Sequence, residues 1–173
     1  MAGCGTARRQ LRTPQEGIGT MDNAPLIHLP GEAPQLVVAG HPMAVLVTAR
    51  ESRHACMFDW VVPPRFATGL HVHRLQEETF YVLDGTCEWQ IGDRVVTASR
   101  GAYVFIPPGV PHDIRNPGDQ TARLLMTVSP PGHEEYFQEL AGLAAHGRPE
   151  PEALAALRRR FDTDQISTLT LAR

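Results

Sequence analysis

Eight histidines occur in this chain, and the spacing of three of them points to a defined chemistry. In the segment H-V-H-R-L-Q-E-E-T-F-Y-V-L-D-G, residues 71–85, His71 and His73 stand two apart. On a strand both imidazoles project from one face and can converge on a single cation. A turn back would set Glu77-Glu78 beside them, so that three ligands come from one β-hairpin. Glu78 would share a strand face with Phe80 and Val82, whereas Glu77 would face the other way into solvent. His112 is the fourth candidate, because it follows P-P-G-V-P and the restricted φ of proline stiffens the loop that holds its ring. Imidazole and carboxylate suit Fe, Mn, Ni, Co or Zn, so the expected cofactor is a divalent transition metal of unspecified identity. His71 and His73 alone could equally decorate an edge strand; the acid and His112 turn a pair into a constellation. His28, His41, His54, His133 and His146 have no partners in register and read as structural residues rather than ligands.

Positioning such a set requires strands, and the chain is punctuated for them. Between Leu36 and Ser129, short runs rich in Val, Ile, Leu, Thr and aromatics are cut by Pro and Gly every eight to twelve residues. The expected strands are Leu36–Val38, Met43–Thr48, Ala55–Val62, Gly69–His73, Glu78–Leu83, Cys87–Ile91, Arg94–Ala98, Tyr103–Ile106, His112–Arg115 and Ala122–Ser129. Asp84-Gly85 and Gly92-Asp93 supply residues that tolerate positive φ in hairpin turns. Many short antiparallel strands imply a sandwich or a barrel. After Pro130-Pro131-Gly132 the period changes. Tyr136, Phe137, Leu140, Leu143 and Ala144, then Leu154, Leu157 and Phe161, recur at helical spacing and predict two helices whose apolar stripes dock on the barrel or on a partner subunit. Arg158-Arg159-Arg160 reads as a solvated helix end suited to the dipole.

The whole-chain balance narrows the function classes. With 16 Lys+Arg against 19 Asp+Glu and a net charge of -3, the chain lacks the basic footprint of a nucleic-acid binder. No run approaches the 18 or so apolar residues of a membrane helix, and the expectation is a soluble, cytoplasmic protein with no membrane partner. Cys4, Cys56 and Cys87 form no C-x-x-C pair and no disulfide framework, which fits a reducing compartment. Cys87 should point inward as a small core residue with Trp89 and Ile91. Residues 1–24 carry no apolar periodicity and are expected to be a flexible arm, with Met21 a plausible initiator; Arg8-Arg9 has no apolar segment after it and does not read as an export signal. Residues 25–130 would then form the β domain and 131–173 a helical extension.

Two motifs identify the chain as resembling the cupin superfamily. The first runs G, five residues, H-x-H, three or four residues, E, six residues, G, and is matched by His71, His73, Glu78 and Gly85, with Arg65 where the leading Gly belongs. The second runs G, five residues, P-x-G, two residues, H, three residues, N, and is matched throughout by Gly101, Pro107, Gly109, His112 and Asn116. The resemblance covers Leu36 to Ser129. It implies an all-β jelly-roll barrel with a metal held inside by His71, His73, Glu78 and His112. The six-residue gap to Gly85 selects Glu78 over Glu77. The helical tail looks like that of small single-barrel cupins labelled quercetin-dioxygenase-like.

A metal held by four protein ligands leaves positions for a chelating substrate, water or dioxygen, so an enzyme acting on a small organic molecule is the expected class. The expectation is dioxygenase-type oxidation of an enolic or phenolic substrate, with Glu78 as catalytic base. Thiol dioxygenases of this superfamily have another residue type at the glutamate position, which disfavours a thiol substrate here. The alternatives are a non-redox isomerase, cyclase or decarboxylase, and a barrel that binds a small molecule without turnover. Phe58, Trp60, Phe66, Phe80, Tyr81, Trp89, Tyr103 and Phe105 interleave the strands, most of them as core. Arg65, Arg74 and Arg123 read as surface residues rather than substrate contacts. The leading strands and the first helix would leave apolar edges and a face to be covered, and a twofold homodimer is the expected solution.

Overall fold

The structure, a computed structural model, describes residues 24–38, 40–145, 147 and 149–167. The expectations about the arm over residues 1–23, with Arg8-Arg9, Met21 and Cys4, and about His146 fall outside the described residues. Ten strands precede the helices: β1 (Gln35–Val38), β2 (His41–Val47), β3 (Cys56–Val62), β4 (His71–Val72), β5 (Glu77–Asp84), β6 (Thr86–Ile91), β7 (Arg94–Ser99), β8 (Tyr103–Ile106), β9 (His112–Arg115) and β10 (Ala122–Ser129). Helices α1 (His133–Ala144) and α2 (Pro151–Arg160) follow, then a short strand β11 (Asp164–Gln165) that the sequence reading did not anticipate.

The strands form two antiparallel sheets, ordered β1-β2-β3-β10-β5-β8 and β11-β4-β9-β6-β7. Non-consecutive neighbours show the crossovers of a jelly roll rather than a chain of hairpins. Alternation buries one face of each strand in the first sheet. Cys56, Phe58, Trp60 and Val62 of β3, Ala122, Leu124, Met126 and Val128 of β10, and Glu78, Phe80 and Val82 of β5 all point inward. Register then builds cross-strand rows. Phe58 opposes Met126, which opposes Phe80; one row on, Cys56, Val128, Glu78 and Ile106 stand in line. The only acid on the inward face of β5 therefore lies in the end row of the hydrophobic core. Trp89 and Cys87 fill the facing sheet and are fully buried.

Tight turns end the strands where the residue types permit. Gly85, between β5 and β6, has φ +75, and a Cβ there would stand 2.9 Å from the Cα of Ala122 and 3.0 Å from the carbonyl of Thr121. Both the conformation and the space demand glycine at this motif position. Arg65, which replaces the first motif's leading glycine, adopts the same left-handed region at φ 60, and its Nη1 donates to the carbonyl of Pro117 at 2.6 Å. The loop keeps its shape at an expected conformational cost of about 1 kcal/mol.

The helices fold back onto the chain's own barrel. The Phe137 ring meets Phe58 edge-on at 5.1 Å, and Tyr136 and Phe137 are buried. Glu134 pins the first turn of α1, its carboxylate accepting the Ala49 N–H at 2.7 Å and the Gly132 N–H at 2.9 Å. Phe161, just past α2, packs against Tyr136. The apolar face of α1 thus finds its cover within one chain, and it no longer calls for a partner subunit.

Candidate metal centre

His71 lies in β4, opposite His112 of β9 in the same sheet, while Glu78 comes from β5 in the other sheet. The expected single hairpin carrying three ligands is therefore corrected: β4 and β5 do not pair, and the chain crosses between sheets at residues 74–76. The crossing is held by the carboxylate of Asp162, which accepts the backbone N–H groups of Arg74, Leu75 and Gln76 at 3.1, 2.7 and 3.0 Å. Those donors are thereby withdrawn from any turn ladder. The result clamps the two imidazoles of one sheet against a carboxylate from the other.

All four side chains are buried, and their ligand atoms lie within 4.8 Å of one another. Glu78 Oε2 is 3.1 Å from His112 Nε2, and Oε1 is 3.2 Å from His73 Nε2. Each histidine is oriented through its other nitrogen. Nδ1 of His71 meets the carbonyl of Gly69 at 2.7 Å, Nδ1 of His73 that of Asp162 at 2.9 Å, and Nδ1 of His112 that of Val110 at 2.9 Å. A carbonyl only accepts, so Nδ1 carries a proton and Nε2 is the ring atom turned toward the centre, where it would offer its lone pair to a metal. His73 Nε2 is buried with no aligned hydrogen bond, a donor atom awaiting an electrophile.

Electrostatics agree with this arrangement. Burial opposes ionisation of Glu78, yet the imidazoles of His112 and His73 outweigh it and hold the carboxyl well below its ordinary range. Burial, helped by His112, pushes His71 down to about 3 and keeps it neutral. Burial also acts against charge on His73, but contact with Glu78 wins and raises its pKa. Glu77, the neighbour on the opposite face, is outside the cluster.

A cupin-domain family profile matches residues 58–128, the span from mid-β3 to the end of β10. Over that span the chain matches the cupin domain. A curated relative, the uncharacterized protein MJ1618 of Methanocaldococcus jannaschii, is 33% identical over 76 residues, which are 43% of this chain and 61% of that protein. The chain thus spans about three fifths of that relative's length. Three solved structures share the fold. KdgF from Halomonas sp. aligns with TM-score 0.57 at 13% identity, over 65% of this chain and 99% of its own. An RmlC-like cupin from Shewanella frigidimarina gives 0.56 at 17%, over 65% and 96%. The polyketide cyclase RemF from Streptomyces resistomycificus gives 0.53 at 23%, over 61% and 79%.

Within the matched span the motif residues have visible tasks. The Gly109 N–H donates to the carbonyl of His73 at 2.7 Å, tying the His112 loop to the other ligand strand. Asn116 Nδ2 donates to the carbonyls of Val62 and Gln120, and its Oδ1 accepts the Gly118 N–H, closing the turn that returns to β10. Imidazole nitrogens converging with one carboxylate suit a divalent transition metal, and the four residues could hold one.

Beside the centre lies a cavity of about 130 Å³ whose wall includes His71, His73, Glu78, Trp60 and Phe66 from the barrel. The helices supply the rest, among them His133, Phe137 and Arg158. Arg158 revises the sequence reading, while His133 takes a structural place: it is buried, its Nδ1 donates to the amide oxygen of Gln76 at 3.2 Å, its ring centroid is 5.6 Å from that of His73, and burial lowers it to about 4. Its one local signal was the Pro130-Pro131-Gly132 lead-in, similar to the P-P-G before His112. Arg158 is also buried, whereas Arg159 and Arg160 are exposed and Arg160 pairs with Glu139. Leu157 and Arg158 are the buried residues of α2, and Arg158 in its last turn reaches the cavity wall.

Arg65, Arg74 and Arg123 stay outside the cavity; Arg74 pairs with Asp164 and Arg123 with Asp59. Cys56 and Cys87 are buried free thiols raised to about 12 by burial, and neither carries chemistry. Tyr81 of β5 and Tyr103 and Phe105 of the edge strand β8 are exposed rather than core, because all three rings lie on the outer face of their sheet.

Proposed function

We propose that this protein is a metal-dependent enzyme that oxidises a small enolic or phenolic molecule with dioxygen. The supporting observation is the shared wall: three of the four convergent donors, His71, His73 and Glu78, line a largely apolar cavity of about 130 Å³. An apolar cavity of roughly 150 Å³ accepts benzene, so a single ring is the right scale of ligand. A divalent transition metal bound there would supply Lewis acidity and, if redox-active, access to dioxygen. The chain's own residues do the rest. Trp60, Phe66 and Phe137 provide flat apolar surface and keep water from the reacting carbon. Glu78, held ionised, accepts the hydroxyl proton of the substrate and is the catalytic base of this reading. His133, neutral near pH 7, adds a polar group to the same wall without adding charge.

Oxygen-electrode measurements on metal-loaded protein with a set of simple phenols and enols are expected to show uptake that requires both metal and substrate. Product formation at the same rate under anaerobic conditions would instead establish a non-redox isomerase, cyclase or decarboxylase. Binding without any product would leave a ligand-holding barrel.

The reaction belongs, in this proposal, to a cytoplasmic setting, consistent with two buried free thiols. No described helix is long and apolar enough to cross a membrane. A second copy of the chain is the proposed partner, through β1 at one sheet edge or the exposed Tyr103 and Phe105 of β8 at the other. Light scattering is expected to give twice the chain mass; a value near 19 kDa would reject the dimer.

A further inference from the structure

Arg158 lines the same cavity as the metal centre and is 8% exposed. A guanidinium is always charged, and removing it from water is unfavourable unless an anion or a full set of acceptors replaces the solvent. Arg158 has neither. Among the described residues its guanidinium makes one hydrogen bond, from Nη1 to Oε1 of Gln165, and Nε is buried with no partner. Two other arginines show what this chain does when an anion is available. Arg123 grips Asp59 through Nε and Nη2, and Arg160 grips Glu139 through both terminal nitrogens. Both of those pairs are exposed, where they gain least, while Arg158, the one buried arginine among the described residues, has no carboxylate partner among them.

The rest of the cavity wall specifies the missing partner further. Glu78 is engaged by His73 and His112 and is not available to Arg158. The remaining lining is aliphatic or aromatic apart from histidines and Thr68 and Thr163. One permanent cation in an apolar wall matches one negative charge, and the planar fork of a guanidinium matches a carboxylate. A phosphate dianion would call for a second permanent cation, which is not among the residues of this wall.

We propose that Arg158 is the substrate-anchoring residue of this cavity and that the substrate is a small monocarboxylate, its acid group held at Arg158 and its reactive oxygen directed to the His71/His73/Glu78/His112 centre. The assignment rests on the enzymatic reading above and narrows its substrate class to enolic or phenolic acids. It also explains why α2 closes over the barrel: the extension brings the counter-charge that the cupin strands lack.

Calorimetric titration of metal-loaded protein with matched probes tests this: benzoate against benzamide, 2-hydroxybenzoate against 2-hydroxybenzamide, and propionate against propionamide. At least one carboxylate is expected to bind about tenfold or more tighter than its amide. Arg158→Met should abolish that preference while leaving metal content and amide affinity unchanged, and Arg158→Lys should retain part of it, which separates charge recognition from a loss of fold. The proposal is overturned if no carboxylate is preferred over its amide, or if the preference survives in Arg158→Met. Binding is read without turnover, so a lack of oxygen uptake would reject the dioxygenase reading and leave the Arg158 result to stand by itself.

Discussion

Replacing His112 by alanine is expected to lower affinity for a divalent transition metal by about 100-fold or more while the two sheets stay folded. Loss of a partner that merely orients a metal-binding histidine typically costs 10- to 100-fold, and a direct donor should cost at least as much. The fold should survive because His112 contributes no apolar row to the core; the β9 ladder and the packing of Ile114 and Trp89 are untouched. Glu78→Ala should weaken binding comparably and Glu77→Ala should not, since their side chains lie on opposite faces of β5. Metal analysis after dialysis, with circular dichroism as the control for folding, decides the matter. Full stoichiometric metal in His112→Ala, or equal effects from the two glutamates, would remove the assignment.

Acid should do reversibly what the substitution does permanently. Donor imidazoles must be neutral, so occupancy is expected to fall as pH drops below about 6. Metal retained unchanged down to about pH 4 would show that these histidines are not ligands. Stability of the metal-free chain follows from the same groups. His71 and His133 are depressed to about 3 and about 4, below an unfolded value of about 6.5. Between those limits the unfolded chain binds more protons, so their contribution is complete above about 6.5 and is lost on acidification. Glu78, also depressed, adds a loss at lower pH still. His73, raised by Glu78, acts in the opposite sense, and its contribution is complete below about 6.5 and fades as pH rises through its folded value.

Asp162→Ala should produce the second large effect, although Asp162 lies far along the chain from every donor. Its carboxylate accepts three backbone N–H groups of the 74–76 crossing, and its carbonyl accepts the proton on His73 Nδ1. Bonds to a charged acceptor each contribute about 1.5–3 kcal/mol, less where water can substitute, so a destabilisation of about 2–4 kcal/mol is expected. Asp162 also sits at φ 53, where alanine is disfavoured by about 1 kcal/mol more. Asp162→Gly removes the carboxylate without that strain, and Asp162→Asn keeps part of the acceptor capacity. Urea unfolding should rank the variants Ala, Gly, Asn from most to least damaged. Metal affinity should fall about tenfold in the first two as His73 loses its fixed orientation. Unchanged metal affinity in Asp162→Gly would mean that the tail does not position the centre.

The residues that carry the site were legible in the chain because their signals are local. Alternation along 56–62, 78–82 and 122–128 reports one buried face, and a period of two can be read without knowing what lies opposite. Gly85 announces its turn because only glycine takes that conformation against the Ala122 backbone. Glu78 over Glu77 is likewise a matter of parity on a strand. Spacing, strand parity, the proline lead-in to His112 and the motif resemblance together singled out all four members of the buried cluster.

What lay beyond the sequence was every relation between segments distant in the chain. That Glu78 reaches the histidines from the opposing sheet follows from β10 pairing both β3 and β5, while β4 pairs β9 and β11. Asp162 clamping residues 74–76, His133 standing over His73, and Arg158 turned inward while Arg159 and Arg160 are solvated all depend on where two helices come to rest. Helical periodicity in 136–144 and 154–161 defines an apolar stripe, but a stripe packs equally well on a partner or on its own barrel. The choice is made by the fit of Phe137 to Phe58 and by the bond from the Ala49 N–H to Glu134, contacts between residues about 80 positions apart that no local pattern encodes.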